Sequence, residues 1–141
     1  MITASLDGFP LHEEEASGGT LAFGFPLHSA AGTAASAVVA FELTPGAELA
    51  THTDSAEEIL LVLEGEAEAT VGDETGPLRA GDLAVVPALA PHSVRNVGDG
   101  TLRVVGFFAS ATVVSTFAEA AEPGAPQVFV AGAPVELAAP L

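Results

Sequence analysis

Glycine and proline interrupt this chain too often for long helices to form. Turn signals stand at Pro45-Gly46, Gly72-Asp73, Ala80-Gly81-Asp82 and Gly98-Asp99-Gly100. Between such signals lie short segments rich in Val, Leu and Phe, at 20–25, 36–43, 57–65, 66–72, 82–87, 92–97, 101–108, 112–117 and 127–130. Strands recurring at roughly eight to twelve residues with turns between them predict an all-β sandwich or barrel. At 141 residues the chain fits a single domain. That is long enough to bury one core without disulfides, and there is no cysteine to form any. The expected division is an N-terminal arm over 1–18, mobile or packed on an edge, a β-domain over 19–133, and a loosely held C-terminal tail over 134–141.

Charge narrows the partners. Nineteen acidic residues face three arginines and no lysine, giving a net charge of −16. Such a surface repels phosphate backbones, so nucleic acid is an unfavourable partner. Nucleotides and coenzyme A esters are disfavoured for the same reason, although Arg79, Arg95 and Arg103 leave room for one local anion site. The ordinary reading of so acidic a surface is solubility. The start "MITASLDGFP" has neither the basic nor the apolar region of a signal peptide, and no apolar run reaches the length of a membrane span. The expectation is a cytoplasmic protein with no membrane partner. Without lysine there is no Schiff-base chemistry, and without cysteine no thiolate ligand or nucleophile.

Local signals conflict at one place. In "SAEEILLVLEG" Ser55 and Glu58 have the spacing of a helix capping box, and the residues after them are good helix formers. The apolar run from Ile59 to Leu63 is continuous, however, and would wrap a helix rather than stripe it. After Gly65, "EAEATV" alternates with period two, as the return strand of a hairpin does. A strand fits both features better than a helix.

On an extended chain His52, Asp54 and Glu58 share parity and point to one face, and so do His92, Val94 and Asn96. Two imidazoles with one or two carboxylates make a nitrogen and oxygen donor set suited to Fe(II), Mn(II), Ni(II) or Zn(II). Parity alone is weak evidence, since the common role of an aspartate at such a place is a loop carboxylate. His12 and His28 lie apart from both groups and read as surface or arm histidines.

Two longer motifs contain these residues. "GAELATHTDSAEEILLVLEG" resembles the first motif of the cupin family, G-x5-H-x-H-x3-E-x6-G, through Gly46, His52, Glu58 and Gly65. "GDLAVVPALAPHSVRN" resembles the second, G-x5-P-x-G-x2-H-x3-N, through Gly81, Pro87, His92 and Asn96. The resemblance implies a cupin-type jelly-roll β-barrel with a divalent metal ion (Fe, Mn, Zn or Ni) inside it, near one mouth. Carried over by position, the metal ligands are His52, Asp54, Glu58 and His92. Asp54 stands where the family carries a second histidine, and Leu89 where it carries a glycine. Leucine resists the backbone shape that glycine permits, so an altered turn is expected there. Asp54 is left with three roles: direct ligand, residue orienting His52, or general base.

The resemblance further implies a homodimer, paired through sheet edges or exchanged terminal strands. Its functional range includes metal-dependent dioxygenases, isomerases, cyclases and lyases, and also non-catalytic ligand-binding or sensor proteins. A metal-free acid–base enzyme built on His52 and Asp54 would resemble family epimerases, but those take pyrophosphate substrates that this cation-poor chain disfavours. Phe41, Leu60, Val62 and Val94, with some of Val105, Phe107 and Phe108, are expected to face inward. They would wall a pocket for an apolar or uncharged small-molecule substrate.

Overall fold

A computed structural model of the chain describes residues 1–119 and 127–132; the expected tail over 134–141 lies outside the described residues. The strands are β1 (His12–Ala16), β2 (Gly19–Leu27), β3 (Ala37–Leu43), β4 (Glu48–Asp54), β5 (Glu58–Glu64), β6 (Glu66–Val71), β7 (Glu74–Arg79), β8 (Leu83–Val86), β9 (His92–Asn96), β10 (Leu102–Phe108), β11 (Val113–Phe117) and β12 (Val128–Ala131). A 3-10 turn at Ser29–Ala31 follows β2. The expected all-β fold is what forms, and the capping-box stretch is strand β5. Ser55 caps no helix: its N–H donates to the Val114 carbonyl and its hydroxyl accepts from the Val114 N–H, both at 2.9 Å.

Two six-stranded antiparallel sheets face each other, in the orders β1-β2-β3-β10-β5-β8 and β12-β11-β4-β9-β6-β7. From β3 to β6 the chain alternates between them, and β10 returns to lie between β3 and β5. Strands that return across a gap in this way make the jelly-roll arrangement. Within the expected arm, residues 12–16 pair along β2 and form one edge of the first sheet. Among the described residues no helix is long and apolar enough to cross a membrane.

Alternation drives the packing. In β3, "AVVAFEL", every second residue is buried, and in β5 the buried positions are Glu58, Leu60 and Val62. Leu43, Val62, Val86 and Leu102 are fully enclosed between the sheets, each contributing roughly 1.5–3 kcal/mol by burial. Gly65, at φ 95°, turns β5 into β6, and a Cβ there would meet the backbone at Thr101 and Leu102. Val104 and Phe108 of β10 are buried facing the second sheet, whereas Phe107 points outward and is 43% exposed.

Candidate metal centre and its cavity

His52 and Asp54 alternate along β4, so both side chains enter the space between the sheets. The chain then crosses to the opposite sheet through residues 55–57, and Glu58 opens β5 there. Glu58 therefore reaches the interior from the facing sheet, not from the same extended strand. His92 opens β9 and stands in register with His52 of β4. All four are buried, at 7% (His52), 3% (Asp54), 3% (Glu58) and 2% (His92) exposure.

The donor atoms converge. Asp54 Oδ2 lies 3.0 Å from His92 Nε2 and 3.6 Å from His52 Nε2, and Glu58 Oε1 lies 3.6 Å from His92 Nε2. His52, Asp54 and His92 each offer an atom within 4.8 Å of the others. Glu58 approaches this group through His92. The imidazoles are held from behind: His52 Nδ1 lies 2.7 Å from the Ala50 carbonyl and His92 Nδ1 lies 2.9 Å from that of Ala90. In the neutral form of each ring a proton on Nδ1 satisfies that carbonyl and leaves Nε2 facing inward with its lone pair. His52 is thus oriented by a backbone carbonyl, and Asp54 stands on its Nε2 side.

Asp54 is aimed as well. Ser115, in register with it on β11, donates its hydroxyl to Oδ1 at 2.5 Å, leaving Oδ2 for the cluster. Despite its closeness to His92 Nε2, Oδ2 is not aligned for a hydrogen bond with it, and both buried atoms lack a partner. Buried polar atoms are rarely left so. Two inward Nε2 atoms and an oriented carboxylate oxygen form the donor set a borderline divalent metal takes. The residues fit such an ion.

Electrostatics separates the four groups. Burial disfavours a charge on His92, but Asp54, Glu58 and the Ala90 carbonyl outweigh it and push its pKa up to about 10 in the metal-free chain. Burial and the neighbouring His92 hold His52 below the usual histidine value. Burial works to raise Asp54, but His92, His52 and Ser115 prevail and keep its carboxyl below the usual carboxylate value. Glu58 is pushed up by burial and by the nearby Asp54 carboxylate, against the pull of His92.

Other residues singled out by the sequence fall elsewhere. Asn96 is buried at the far end of β9, where its amide donates to the Leu43 and Gly100 carbonyls at 2.9 and 2.8 Å and accepts from the Gly98 N–H at 3.0 Å. Leu89 keeps the left-handed backbone that glycine would take, at φ 65°, and its N–H donates to the Asp54 carbonyl at 2.8 Å. The turn expected to change shape is therefore retained. The arginines build no common anion site: Arg79 lies opposite Glu66, Arg95 between Glu48 and Glu68, and Arg103 between Glu42 and Glu64. His28 accepts the Ala30 N–H at the 3-10 turn, and His12 packs edge-on against Phe23.

Three residues escaped the motif reading. Ser115 and Phe117 share inward parity on β11 with the buried Val113, which was their only signal. Gly106 carried none: a Cβ at that position would overlap the Glu58 carboxylate.

Residues 39–108 match the model of a family described as a cupin domain. Over 64 residues the chain is 38% identical to Polyketide synthase CurC of Streptomyces cyaneus, a match covering 45% of this chain and 42% of that protein. Among solved structures it is similar to a predicted oxalate decarboxylase of Thermotoga maritima, with TM-score 0.68 and 20% identity over 77% of this chain and 98% of the other. It is also similar to the Lactobacillus farciminis oxalate decarboxylase formate complex, with TM-score 0.66 and 22% identity over 77% of this chain but 33% of the other. At these identities the structural likeness concerns the fold alone.

Proposed function

Because the chain belongs to the cupin superfamily, the interior of its barrel is the place to look for chemistry, and we propose that it is a small-molecule metalloenzyme. Its reaction would be of the dioxygenase, isomerase, or cyclase and lyase type. His52, Asp54 and His92 would hold a divalent ion (Fe, Mn, Zn or Ni), with Glu58 completing the set from the facing sheet. The observation that carries this reading is the convergence of three buried donor atoms, Asp54 Oδ2, His92 Nε2 and His52 Nε2, the first two without an aligned hydrogen bond. When bound, the ion supplies a Lewis acid and, if redox-active, a site for O2.

The protein's own residues do the rest. The Ala50 and Ala90 carbonyls fix both imidazoles, and Ser115 fixes Asp54, so the donors need no reorganisation. The walls are mostly apolar and keep water from the donors. No arginine lines the cavity, and its carboxylates, Glu14, Asp54 and Glu58, outnumber its two histidines, His52 and His92. That lining supports an uncharged substrate and disfavours a carboxylate or phosphate.

Protein purified without chelators should carry one equivalent of divalent metal, read by elemental analysis, and His92→Ala should lose it. A folded chain that carries none, and takes up none on titration, refutes the metalloenzyme reading.

We further infer a homodimer, joined through a sheet face. In the first sheet Val38, Phe107, Ile59 and Val85 form a cross-strand row, followed by Ala40, Val105, Leu61 and Leu83. Phe107, Ile59, Val85 and Leu83 are 43%, 39%, 59% and 64% exposed. Exposed apolar residues set side by side on one sheet face mark an interaction site more often than singly scattered ones do. On a chain of charge −16, an uncharged face is where two copies meet with least repulsion.

A further inference from the structure

Phenylalanine walls the cavity beside the donor cluster. Six of the eight in the chain line it: Phe23, Phe25, Phe41, Phe108, Phe117 and Phe129. Three of them form a connected series that begins at a donor residue. Phe117 stacks on the His52 ring with centroids 4.8 Å apart and planes 20° apart. Phe129 meets Phe117 edge-on at 5.7 Å, and Phe23 meets Phe129 edge-on at 6.2 Å. Phe23 stands on β2 of the first sheet and the other two on β11 and β12 of the second, so the series bridges the gap between the sheets.

Size and mobility add a second constraint. The cavity holds about 70 Å³. A dry cavity that takes up benzene measures about 150 Å³, so a ring enters only if a wall yields. Phe129 is the wall best placed to do so. Its strand β12 is hydrogen-bonded only to β11 among the described strands, and the flanking Val128 and Val130 are 50% and 55% exposed.

We propose that Phe23, Phe117 and Phe129 form a seat for one flat, uncharged aromatic ring, admitted by displacement of Phe129 and held beside His52. This rests on the small-molecule reading of the same cavity but not on metal. Phenylalanine offers no donor or acceptor, so what the seat recognises is the ring itself, by offset and edge-to-face contact. Three carboxylates, Glu14, Asp54 and Glu58, line the cavity and no arginine or lysine does, which disfavours the carboxylate of an aromatic acid. The open polar end lies at Asp54 and Ser115, which suits a neutral ring substituent such as a hydroxyl.

The test uses the full chain in EDTA with three probes: 2-naphthol, 2-naphthoate and the saturated 2-decalol. With no Trp or Tyr in the chain, naphthol emission is read directly, and decalol is read by its competition with naphthol. Naphthol should bind saturably, and naphthoate and decalol at least about tenfold more weakly. Phe117→Leu, which keeps apolar volume but removes the stack, should weaken naphthol about fivefold without weakening decalol. Phe129→Ala should speed naphthol association. Equal binding of naphthoate or decalol, or unchanged naphthol binding by Phe117→Leu, would overturn the seat; should that variant not fold, Phe23→Leu carries the same test. Because EDTA is present, a failure here leaves the metal reading standing, and a chain that binds naphthol but never metal leaves the seat standing.

Discussion

At the scale of single residues, a missing methyl group decides where Glu58 can go. Gly106 on β10 faces the interior at the point where a side chain would run into the Glu58 carboxylate and Val39. Its absence lets the carboxylate reach His92 from the facing sheet. Gly106→Ala should therefore act on Glu58 more than on the fold, since the position has no positive φ to strain. Overpacking costs about 1–3 kcal/mol, a loss readable as a lower Tm. Affinity for Mn(II) or Zn(II), measured by calorimetric titration, should fall at least about tenfold and match that of Glu58→Gln. Unchanged affinity in both variants would remove Glu58 from the ligand set. Leu89 makes the complementary point: a leucine at φ 65° is strained by about 1–2 kcal/mol, yet its N–H is fastened to the Asp54 carbonyl. The bond anchors the backbone of the very residue that departs from the family motif.

At the scale of elements, β9 has two ends with two tasks. His92 serves the cluster, while Asn96 ties the strand to its neighbours through the Leu43 and Gly100 carbonyls and the Gly98 N–H. Asn96→Ala removes all three bonds, the one to the Leu43 carbonyl fully buried, and should destabilise the fold by about 2–3 kcal/mol in urea unfolding, with one equivalent of metal still bound at saturation. A stability loss under 0.5 kcal/mol, measured the same way, would sink the structural role. Motif spacing made both ends of β9 legible in the sequence, along with the strand at 58–64. Three strands were not predicted as such. The residues of β4 carry the extended ligand-bearing run at His52 and Asp54 but little apolar alternation, β7 contains Gly76 and Pro77, and three of the five residues of β1 are glutamates. Edge strands such as β1 and β7 need no alternating apolar pattern, because water solvates one side of them. Ser115 and Gly106 were invisible for a different reason: their roles exist only across the interface of two strands, and neither residue type announces a partner 48 or more positions away.

At the scale of the whole molecule, charge and apolar surface are segregated. Each arginine sits opposite glutamates in the strand register, which leaves the excess negative charge unrelieved elsewhere. The rows centred on Phe107 and Leu61 form an uncharged field on one outer face. Sedimentation should show a dimer, and Phe107→Glu combined with Val85→Lys should shift it at least tenfold toward monomer while naphthol and metal binding persist. A wild-type chain that sediments as monomer at micromolar concentration would refute the pairing. The placement of β10 also has a consequence in time. β3 and β5 are neighbours only through β10, so neither can complete its sheet until residues 102–108 have been synthesised. Pairings across such separations make folding slow, and the strand that carries Glu58 gains its β10 neighbour only then, whereas β4 and β9 pair directly in the other sheet. An ion taken up as proposed would therefore find Glu58 set opposite His52, Asp54 and His92 only after residues 102–108 have joined the sheet.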